Sequence, residues 1–301
     1  MKIALVGIGK IALDQHVPAL MASPDWTLAA TVSRSGRVPG VPGYGDIDAM
    51  LAAHPDVGAV SLCLPPVPRF AAAVAVLRAG RHLMLEKPPG ATLSEVHALQ
   101  AMAGGVSLYA TWHSRMAHGV AAARDWLAGR RVLGGHITWR EDIRHWHPGQ
   151  DWILEAGGMG VFDPGINALS ILTAILPRPV HLMAAELDLP ANRQAPIAAR
   201  LTLSQGITAD LDFRQEGPQS WDIDLRTDAG RLALRMGGNL LEIDGRPVEG
   251  RDSIMQEYPA LYARMAALVR QGASEVDLAP MVLVADAFTL GRRITVAPFD
   301  F

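Results

Sequence analysis

The chain has 301 residues, 50% of them apolar, and is long enough for two globular domains. Its formal net charge of -3 argues against nucleic acid or an anionic membrane surface as the main partner. The single cysteine, Cys63, cannot form a disulfide within the chain, which fits a reducing compartment. The apolar N-terminal run stops at Gly7, and no run approaches the length of a membrane span. These features predict a cytoplasmic protein.

An apolar strand pattern opens the chain at residues 2–6 and runs into a glycine-rich turn. The turn, Gly7-Ile8-Gly9-Lys10-Ile11-Ala12, has the G-x-G-x-x-A spacing in which glycines permit a tight turn and close approach of a pyrophosphate. The helix that follows offers free backbone amides to phosphate. The motif alone is weak, but a second strand pattern follows about 20 residues on, as a dinucleotide-binding unit requires. We therefore expect cofactor contacts from Gly7, Ile8, Gly9, Lys10 and Ile11.

Strand and helix patterns alternate up to Arg115, which predicts a doubly wound parallel sheet. The expected elements are strands at 2–6, 26–32, 58–64, 82–85 and 106–111 and helices at 46–54, 69–79 and 92–102. Pro18 should interrupt the first helix near His16, because proline lacks a backbone N–H, and the helix should restart at Val17-Pro18. Leu64 and Pro65 end a strand at the point where the nicotinamide side of a cofactor is expected.

Ser33 and Arg34 follow the second strand, where an NAD-selective protein usually carries an acidic residue for the ribose 2′-hydroxyl. A guanidinium at this place can bind the 2′-phosphate of NADP, and the Ser33 hydroxyl can donate to it. An arginine that is merely solvated in its loop is the alternative. We predict that NADP is the preferred cofactor and that NAD is accepted more weakly.

Lys87 follows the strand at 82–85, and ligands of an open parallel sheet bind beyond the carboxyl ends of its strands. Asp163 and Asn167 are four residues apart at the start of an apolar helical pattern, so both project from one helix face. His113 also lies at the end of a strand, which favours a role in the site. We expect Lys87, Asp163 and Asn167 to form a catalytic centre for a small polar substrate.

The pattern changes after residue 115, which predicts a dinucleotide-binding domain at 1–115 and a substrate-binding α/β domain at 116–301. Successive strand patterns joined by short turns predict a large, open, mostly antiparallel sheet. These strands are expected at 132–142, 180–189, 197–203, 207–213, 220–226 and 231–235, with helices at 117–127, 167–176, 258–270 and 281–293.

A loop rich in Trp, His, Pro and Gly occupies residues 144–152 and has no helical or strand period. Loops of this composition often bind ligands, because rigid aromatic faces suit sugar rings, and a packed surface loop is the alternative. His145 and His147 lack the further ligand spacing of a zinc site, so we predict no metal.

Together these motifs resemble the glucose–fructose oxidoreductase/inositol dehydrogenase superfamily. The resemblance is carried by the glycine-rich turn, by Glu86-Lys87-Pro88 and by Asp163-Pro164-Gly165-Ile166-Asn167. More narrowly, the chain is similar to the bacterial aldose 1-dehydrogenases that oxidise D-galactose and L-arabinose. That similarity is carried by Asp14-Gln15-His16, Trp112-His113-Ser114-Arg115, Trp146-His147-Pro148-Gly149-Gln150 and residues 162–170.

The resemblance implies a Rossmann domain followed by an α/β domain whose open sheet often mediates oligomerisation, hence a monomer or a homodimer through that sheet. It also implies a cis peptide bond before Pro88 and cofactor contacts from Glu86 and Lys87. Finally, it implies that four side chains border a sugar, namely His113, Glu141, Trp146 and Trp221. We expect Asn167 to hydrogen-bond O1 or O2 of that sugar and to fix its ring.

The expected reaction is NAD(P)-dependent oxidation of the C1 hydroxyl of an aldopyranose to a lactone. The residues leave open whether Lys87 or Asp163 accepts the proton, and whether D-galactose or L-arabinose is preferred. A non-catalytic nucleotide-binding sensor is one alternative, although it would not need the whole set of Lys87, Asp163 and Asn167. A related cyclitol or sugar dehydrogenase and an NAD-dependent glycoside hydrolase are the others.

Overall fold

The computed structural model describes residues 1–250 and 257–301. The strands are β1 (Lys2–Val6), β2 (Thr27–Val32), β3 (Gly43–Tyr44), β4 (Ala59–Leu62), β5 (His82–Leu85), β6 (Leu108–Ala110), β7 (Val132–Arg140), β8 (Leu182–Pro190), β9 (Ala198–Leu203), β10 (Ile207–Asp212), β11 (Ser220–Thr227), β12 (Gly230–Arg235), β13 (Leu240–Ile243), β14 (Arg246–Gly250) and β15 (Arg292–Val296). The α-helices are α1 (Val17–Met21), α2 (Ile47–Ala53), α3 (Pro66–Arg78), α4 (Leu93–Met102), α5 (His118–Leu127), α6 (Ile143–Trp146), α7 (Phe162–Ile175), α8 (Glu257–Gln271) and α9 (Ala279–Leu290).

The first sheet has the strand order β3-β2-β1-β4-β5-β6. Every neighbouring pair in it is parallel, which confirms the predicted doubly wound parallel sheet. Strands β1, β4 and β5 are almost entirely buried, as expected for apolar runs covered by helices on both faces. Parallel pairing brings the carboxyl ends of these strands to one edge of the sheet.

The first helix is divided near His16, as expected from Pro18. A π-helical turn over Ala12–His16 is followed by α1, which starts at Val17 and has Pro18 in its first turn. A proline is tolerated in a first turn, because its missing N–H would have had no helical partner there. The wide turn directs His16 inward, where it is fully buried.

Residues 1–113 and 257–278 form one compact unit, and residues 114–250 and 279–301 form a second. From the sequence, residues 116–301 were expected to belong entirely to the second domain. Helix α8 instead packs on α1 and buries the stripe Tyr258, Leu261, Tyr262 and Met265. The pattern of α8 showed which face is apolar, but a helical period does not specify the surface that the face meets.

The second sheet has the order β14-β13-β12-β11-β7-β10-β9-β8-β15. It is mostly antiparallel, as predicted, with parallel pairing of β7 with β10 and of β8 with β15. The sequence had not indicated β13, β14 or β15, and the final helix was expected to continue to Arg293. It ends at Leu290, and Gly291 follows, where a Cβ would lie 2.4 Å from the carbonyl oxygen of Ala287, so this position requires glycine.

Helix α7 is buried on nearly all sides in the second unit, as its strongly apolar sequence predicts. It begins at Phe162, earlier than the expected Asn167. Arg115 braces it by donating to the carbonyl oxygen of Ser170 at 2.8 Å and to the hydroxyl of Thr173 at 2.9 Å. None of the helices in the described ranges combines the length and apolar character that crossing a membrane requires.

Candidate active site

The glycine-rich turn after β1 is pressed against the end of β4. Gly7 has a φ of +89°, and a Cβ there would lie 2.9 Å from the backbone of Cys63 and Leu64. Its N–H donates to the carbonyl oxygen of Val32 at 2.8 Å, which ties the turn to the end of β2 as well. Only glycine fits both the backbone conformation and the space, and this arrangement suits a backbone that approaches a pyrophosphate closely.

The loop after β2 packs on this turn. A Cβ at Gly36 would lie 2.1 Å from the carbonyl oxygen of Ile8. The guanidinium of Arg37 donates to the carbonyl oxygens of Ser33 at 3.1 Å and of Gly36 at 2.8 Å, so it holds the loop itself. Arg34 is exposed and makes no hydrogen bond or ion pair with any described residue, which leaves its guanidinium available to a ligand.

The strand ends around Lys87 are joined by an arginine that the sequence analysis did not identify. Arg69 of α3 is 2% exposed, and its guanidinium donates to the carbonyl oxygens of Leu64, Glu86 and Pro88. It therefore fixes the ends of β4 and β5 relative to each other. The peptide bond from Lys87 to Pro88 is cis, as the resemblance implied. The available signal was a basic residue in the first turn of a largely apolar helix.

Glu86 lies under Lys87 with its side chain turned inward. It is 5% exposed, and its carboxylate accepts hydrogen bonds from the backbone N–H of Lys87 and, at 2.8 Å, from the hydroxyl of Tyr258. Nε2 of His16 lies 3.4 Å from the same carboxylate. Nearby, Nδ1 of His113 lies 2.6 Å from the carboxylate of Glu257.

Burial and charge act in opposite directions on the pKa values of Glu86 and His16 and in the same direction on that of Tyr258. Burial alone would raise the pKa of Glu86, but the interaction with His16, whose Nε2 lies 3.4 Å from the carboxylate, lowers it well below its usual value. Burial alone would lower the pKa of His16, but neighbouring Cys63, Tyr262 and Glu86 raise it well above its usual value. Burial and the charge of Glu86 raise the pKa of Tyr258. The cluster therefore holds an ionised Glu86 and a protonated His16 around neutral pH.

A second group of candidate site residues lies in the second unit. Asp163, in the first turn of α7, is 6% exposed. Nε2 of His147 lies 3.6 Å from Oδ2 of Asp163 and 3.9 Å from Oε1 of Glu141. Glu141 in turn accepts a hydrogen bond of 2.9 Å from Nε1 of Trp221. Two buried carboxylates, an imidazole and an indole N–H thus form one polar group that can bind several hydroxyls.

Three neighbouring indoles flank this polar group. The ring of Trp221 lies 5.5 Å from that of Trp146 and 6.0 Å from that of Trp139. Nε1 of Trp146 donates to Oε1 of Gln219 at 3.1 Å, which holds the ring against Trp221. An apolar wall beside convergent polar groups is the surface that a sugar ring needs, because its C–H faces are apolar and its rim is polar.

The Trp/His loop contains local structure that its sequence period did not show. The carboxylate of Asp142 accepts from the N–H of Arg144 at 2.9 Å and caps the single turn α6. This turn positions Trp146, and His147 ends it with its N–H bonded to the carbonyl oxygen of Ile143 at 2.8 Å. The cap Asp142 was visible in the sequence, but one turn is too short for a helical period to show.

The predicted site residues are divided between the units. The cofactor contacts, Lys87 and His113 lie in the first unit, and the second holds Glu141, Trp146, Asp163, Asn167 and Trp221. Asn167 lies one helical turn after Asp163, and its side-chain amide has no hydrogen-bond partner among the described residues. The sequence had singled out His147 only as a possible metal ligand, and no metal was predicted there. Within residues 1–250 and 257–301, no three His, Cys, Asp or Glu side chains are grouped to hold a metal ion.

Comparison with known proteins independently supports a dinucleotide-binding oxidoreductase. Residues 1–109 match an oxidoreductase family with an NAD-binding Rossmann fold. A galactose 1-dehydrogenase from Pseudomonas fluorescens is 42% identical over 304 residues, covering 99% of this chain and 98% of that protein. The crystal structure of a D-galactose-1-dehydrogenase from Rhizobium etli is 53% identical with a TM-score of 0.94, covering 99% of this chain and 97% of that one.

A 3-ketoreductase from Actinomadura kijaniata, solved with NADP and TDP-benzene, shares the fold at 22% identity. Its TM-score is 0.83, and the match covers 98% of this chain and 99% of that one. The full-length relatives, the parallel sheet and the glycine-rich turn lead to the same assignment. The chain belongs to the glucose–fructose oxidoreductase/inositol dehydrogenase family of oxidoreductases, whose N-terminal domain is an NAD-binding Rossmann fold.

Proposed function

We propose that the protein catalyses the NAD(P)-dependent oxidation of the C1 hydroxyl of an aldopyranose, D-galactose or L-arabinose, to the aldonolactone. The observation that carries this proposal is the group of Asp163, His147 and Glu141 beside the indole of Trp221. Such a combination suits a ring with many hydroxyls and apolar C–H faces. The full-length similarity to a galactose 1-dehydrogenase supports the same substrate class.

The glycine-rich turn fits a dinucleotide. A Cβ at Gly7 would meet the backbone at the end of β4, and a Cβ at Gly36 would meet Ile8 of the turn, so the absence of both side chains lets these backbones pack closely and leaves the turn accessible to a pyrophosphate and a ribose. Residues Gly7 to Ile11 would hold the pyrophosphate, Ser33 and Arg34 the adenosine ribose, and Leu64, Pro65 and Lys87 the nicotinamide side. When bound, the nicotinamide supplies the hydride acceptor.

The chain's own residues must remove the proton of O1 and fix the ring. We propose that Lys87 and Asp163 share the first role, and that either can accept the proton from O1 as C1 loses its hydride. Asn167 would donate from its amide to O1 or O2. Around the ring, His113, Glu141 and His147 would bind hydroxyls while Trp146 and Trp221 cover the C–H faces.

Sugar preference follows from stereochemistry. D-Galactose and L-arabinose share their ring configuration, and L-arabinopyranose lacks only the hydroxymethyl group at C5. In a pocket that accepts both sugars, the hydroxymethyl group contributes only modestly to discrimination, so its absence from L-arabinose lowers kcat/KM little. D-Glucose has an equatorial 4-hydroxyl, which would leave buried polar partners unpaired at a cost of about 1–3 kcal/mol.

The experiment is a scan of free aldoses and cyclitols for reduced-cofactor absorbance. We expect turnover of D-galactose and L-arabinose, with kcat/KM for D-glucose lower by about ten- to a hundredfold. Equal efficiency with D-glucose and D-galactose would contradict the proposed pocket, and turnover of a cyclitol alone would favour the related dehydrogenase. Absence of turnover with every substrate, despite cofactor binding, would favour the sensor.

We further propose that the protein is a monomer or a homodimer through the nine-stranded sheet. Charged side chains on this sheet pair with one another, for example Arg235 with Asp224 at 2.6 Å and Arg200 with Glu186 at 2.9 Å. The interface of a dimer formed through this surface would be polar, and salt would weaken the association by screening its charges. Size-exclusion chromatography with light scattering at low and high salt tests this; a larger assembly that is insensitive to salt would contradict it.

A further inference from the structure

A buried polar cluster lies behind Lys87 in the first unit. It consists of His16, Ser61, Glu86, Tyr258 and Tyr262, and each of these residues is at most 5% exposed. Its members come from the first helix, from β4, from the end of β5 and from α8. Burying so many polar groups costs free energy unless they hydrogen-bond to one another, so the partner of each group matters.

Donors and acceptors in the Glu86 cluster can be assigned consistently. The hydroxyl of Tyr262 donates to Oγ of Ser61 at 3.3 Å, so its oxygen is open to Nδ1–H of His16 at 2.7 Å. The other imidazole nitrogen of His16 then faces the Glu86 carboxylate. Oε1 of Glu86 also accepts from the hydroxyl of Tyr258. His16 and Tyr258 thus hold the Glu86 carboxylate at its Oε1 atom.

The other oxygen of Glu86 holds the backbone of Lys87. Within residues 86–89 only Glu86 and Lys87 carry a backbone N–H, because prolines follow. The N–H of Glu86 donates to the carbonyl oxygen of Leu62 at 3.1 Å as part of the sheet. The N–H of Lys87 donates instead to Oε2 of Glu86. This carboxylate is therefore the acceptor that orients the first peptide beyond the strand.

We propose that Glu86 is a positioning residue for Lys87, and that the hydroxyl of Tyr258 locks its carboxylate in place. Both carboxylate oxygens are engaged inside the unit, so Glu86 would act on catalysis through Lys87 rather than as a cofactor contact. The catalytic consequence rests on the proposed function, in which Lys87 contacts the substrate. The structural link between Tyr258, Glu86 and the Lys87 amide does not depend on it.

The sequence provides a direct probe, because it contains three lysines, Lys2, Lys10 and Lys87. Labelling with [15N]lysine gives three backbone amide signals, and a Lys87→Arg sample identifies the signal of Lys87. Hydrogen exchange of that amide then reports on its bond to Glu86 without any substrate. Tyr258→Phe removes a single hydroxyl and keeps the packing of the ring. Tyr44→Phe is the matched control, because its hydroxyl bonds to His54 at 3.0 Å elsewhere in the unit.

We expect Tyr258→Phe to speed exchange of the Lys87 amide by about tenfold or more, with Lys2 and Lys10 unchanged and Tyr44→Phe like the wild type. In the sugar assay, Tyr258→Phe should lower kcat by about tenfold and change KM for the cofactor by less than about twofold. Wild-type exchange of the Lys87 amide in Tyr258→Phe would overturn the proposal. So would faster exchange with an unchanged kcat in an active enzyme. If the wild type oxidised no sugar, the proposed function would fail, and the exchange result would still decide the structural link.

Discussion

Nε2 of His147 lies 3.6 Å from Oδ2 of Asp163, which connects the Trp/His loop to the first turn of α7. The same nitrogen lies 3.9 Å from Glu141, just after β7. One imidazole therefore lies between two buried carboxylates contributed by separate elements. In the proposed reaction it would orient Asp163 and share in binding a sugar hydroxyl.

This relationship predicts that His147→Ala impairs use of the sugar more than use of the cofactor. Loss of a hydrogen bond to a charged group should lower kcat/KM for D-galactose by about ten- to a hundredfold, with KM for the cofactor unchanged. His145→Ala is the matched control, because this exposed neighbour contacts only the edge of Trp146 among the described rings. Equal effects of the two substitutions in steady-state kinetics would contradict the assignment.

The proposed catalytic centre predicts large losses for Lys87→Ala, Asp163→Ala and Asn167→Ala. Groups that move a proton typically contribute a factor of about 10²–10⁴, so kcat should fall by that order while cofactor binding is kept. Lys2→Ala and Asp224→Ala serve as controls, since both side chains lie at the surface in ion pairs. Near-normal turnover of Lys87→Ala, measured beside its cofactor affinity, would show that the site lies elsewhere.

The loop after β2 predicts a preference for NADP that depends on Arg34. One charge-assisted contact of about 1.5–3 kcal/mol corresponds to a preference of roughly ten- to a hundredfold, which Arg34→Ala should abolish. Arg37→Ala should instead weaken both cofactors, because Arg37 braces the loop through Ser33 and Gly36. The measurement is kcat/KM with NADP and with NAD. A wild type that prefers NAD, or an unchanged ratio in Arg34→Ala, would make Arg34 a solvated loop residue.

His16 predicts a stability contribution that depends on pH. It faces Cys63, Glu86, Tyr258 and Tyr262, and its pKa is raised above the value of about 6.5 expected in the unfolded chain. Its contribution is therefore complete below about pH 6.5 and is lost as pH rises through the folded-state pKa.

His16→Gln tests this through urea unfolding between pH 5 and 9. The variant should lose about 3–5 kcal/mol of unfolding free energy at the acidic end, the cost of breaking a buried pair, and the difference should shrink towards alkaline pH. His54→Gln, at the half-buried pair with Tyr44, is the control. A difference that does not vary with pH would mean that folding leaves the pKa of His16 unshifted, and a difference that grows towards alkaline pH would mean that His16 is neutral in the folded protein.

Local pattern alone was enough to predict both sheets apart from β3, β13, β14 and β15, together with the glycine-rich turn, the strand end at Lys87 and the shared helix face of Asp163 and Asn167. Each of these depends on residues that are close in sequence, such as an apolar run, a glycine spacing or an i, i+4 pair. The cis bond before Pro88 came from family resemblance and is present. The weakest predictions were at element ends and at short edge strands such as β15, where few residues carry a pattern.

Only the tertiary structure placed His147 beside Asp163, Arg69 across two strand ends, and Tyr258 on Glu86. Tyr258 and Glu86 are separated by 172 residues, and helix α8 returns to the first unit after the chain has built most of the second. An amphipathic pattern predicts that one helix face will be buried. It does not identify the covering surface, because removing apolar area from water is favourable whichever surface covers it. The choice of that surface depends on shape and on polar groups that must satisfy one another, and these belong to the whole fold.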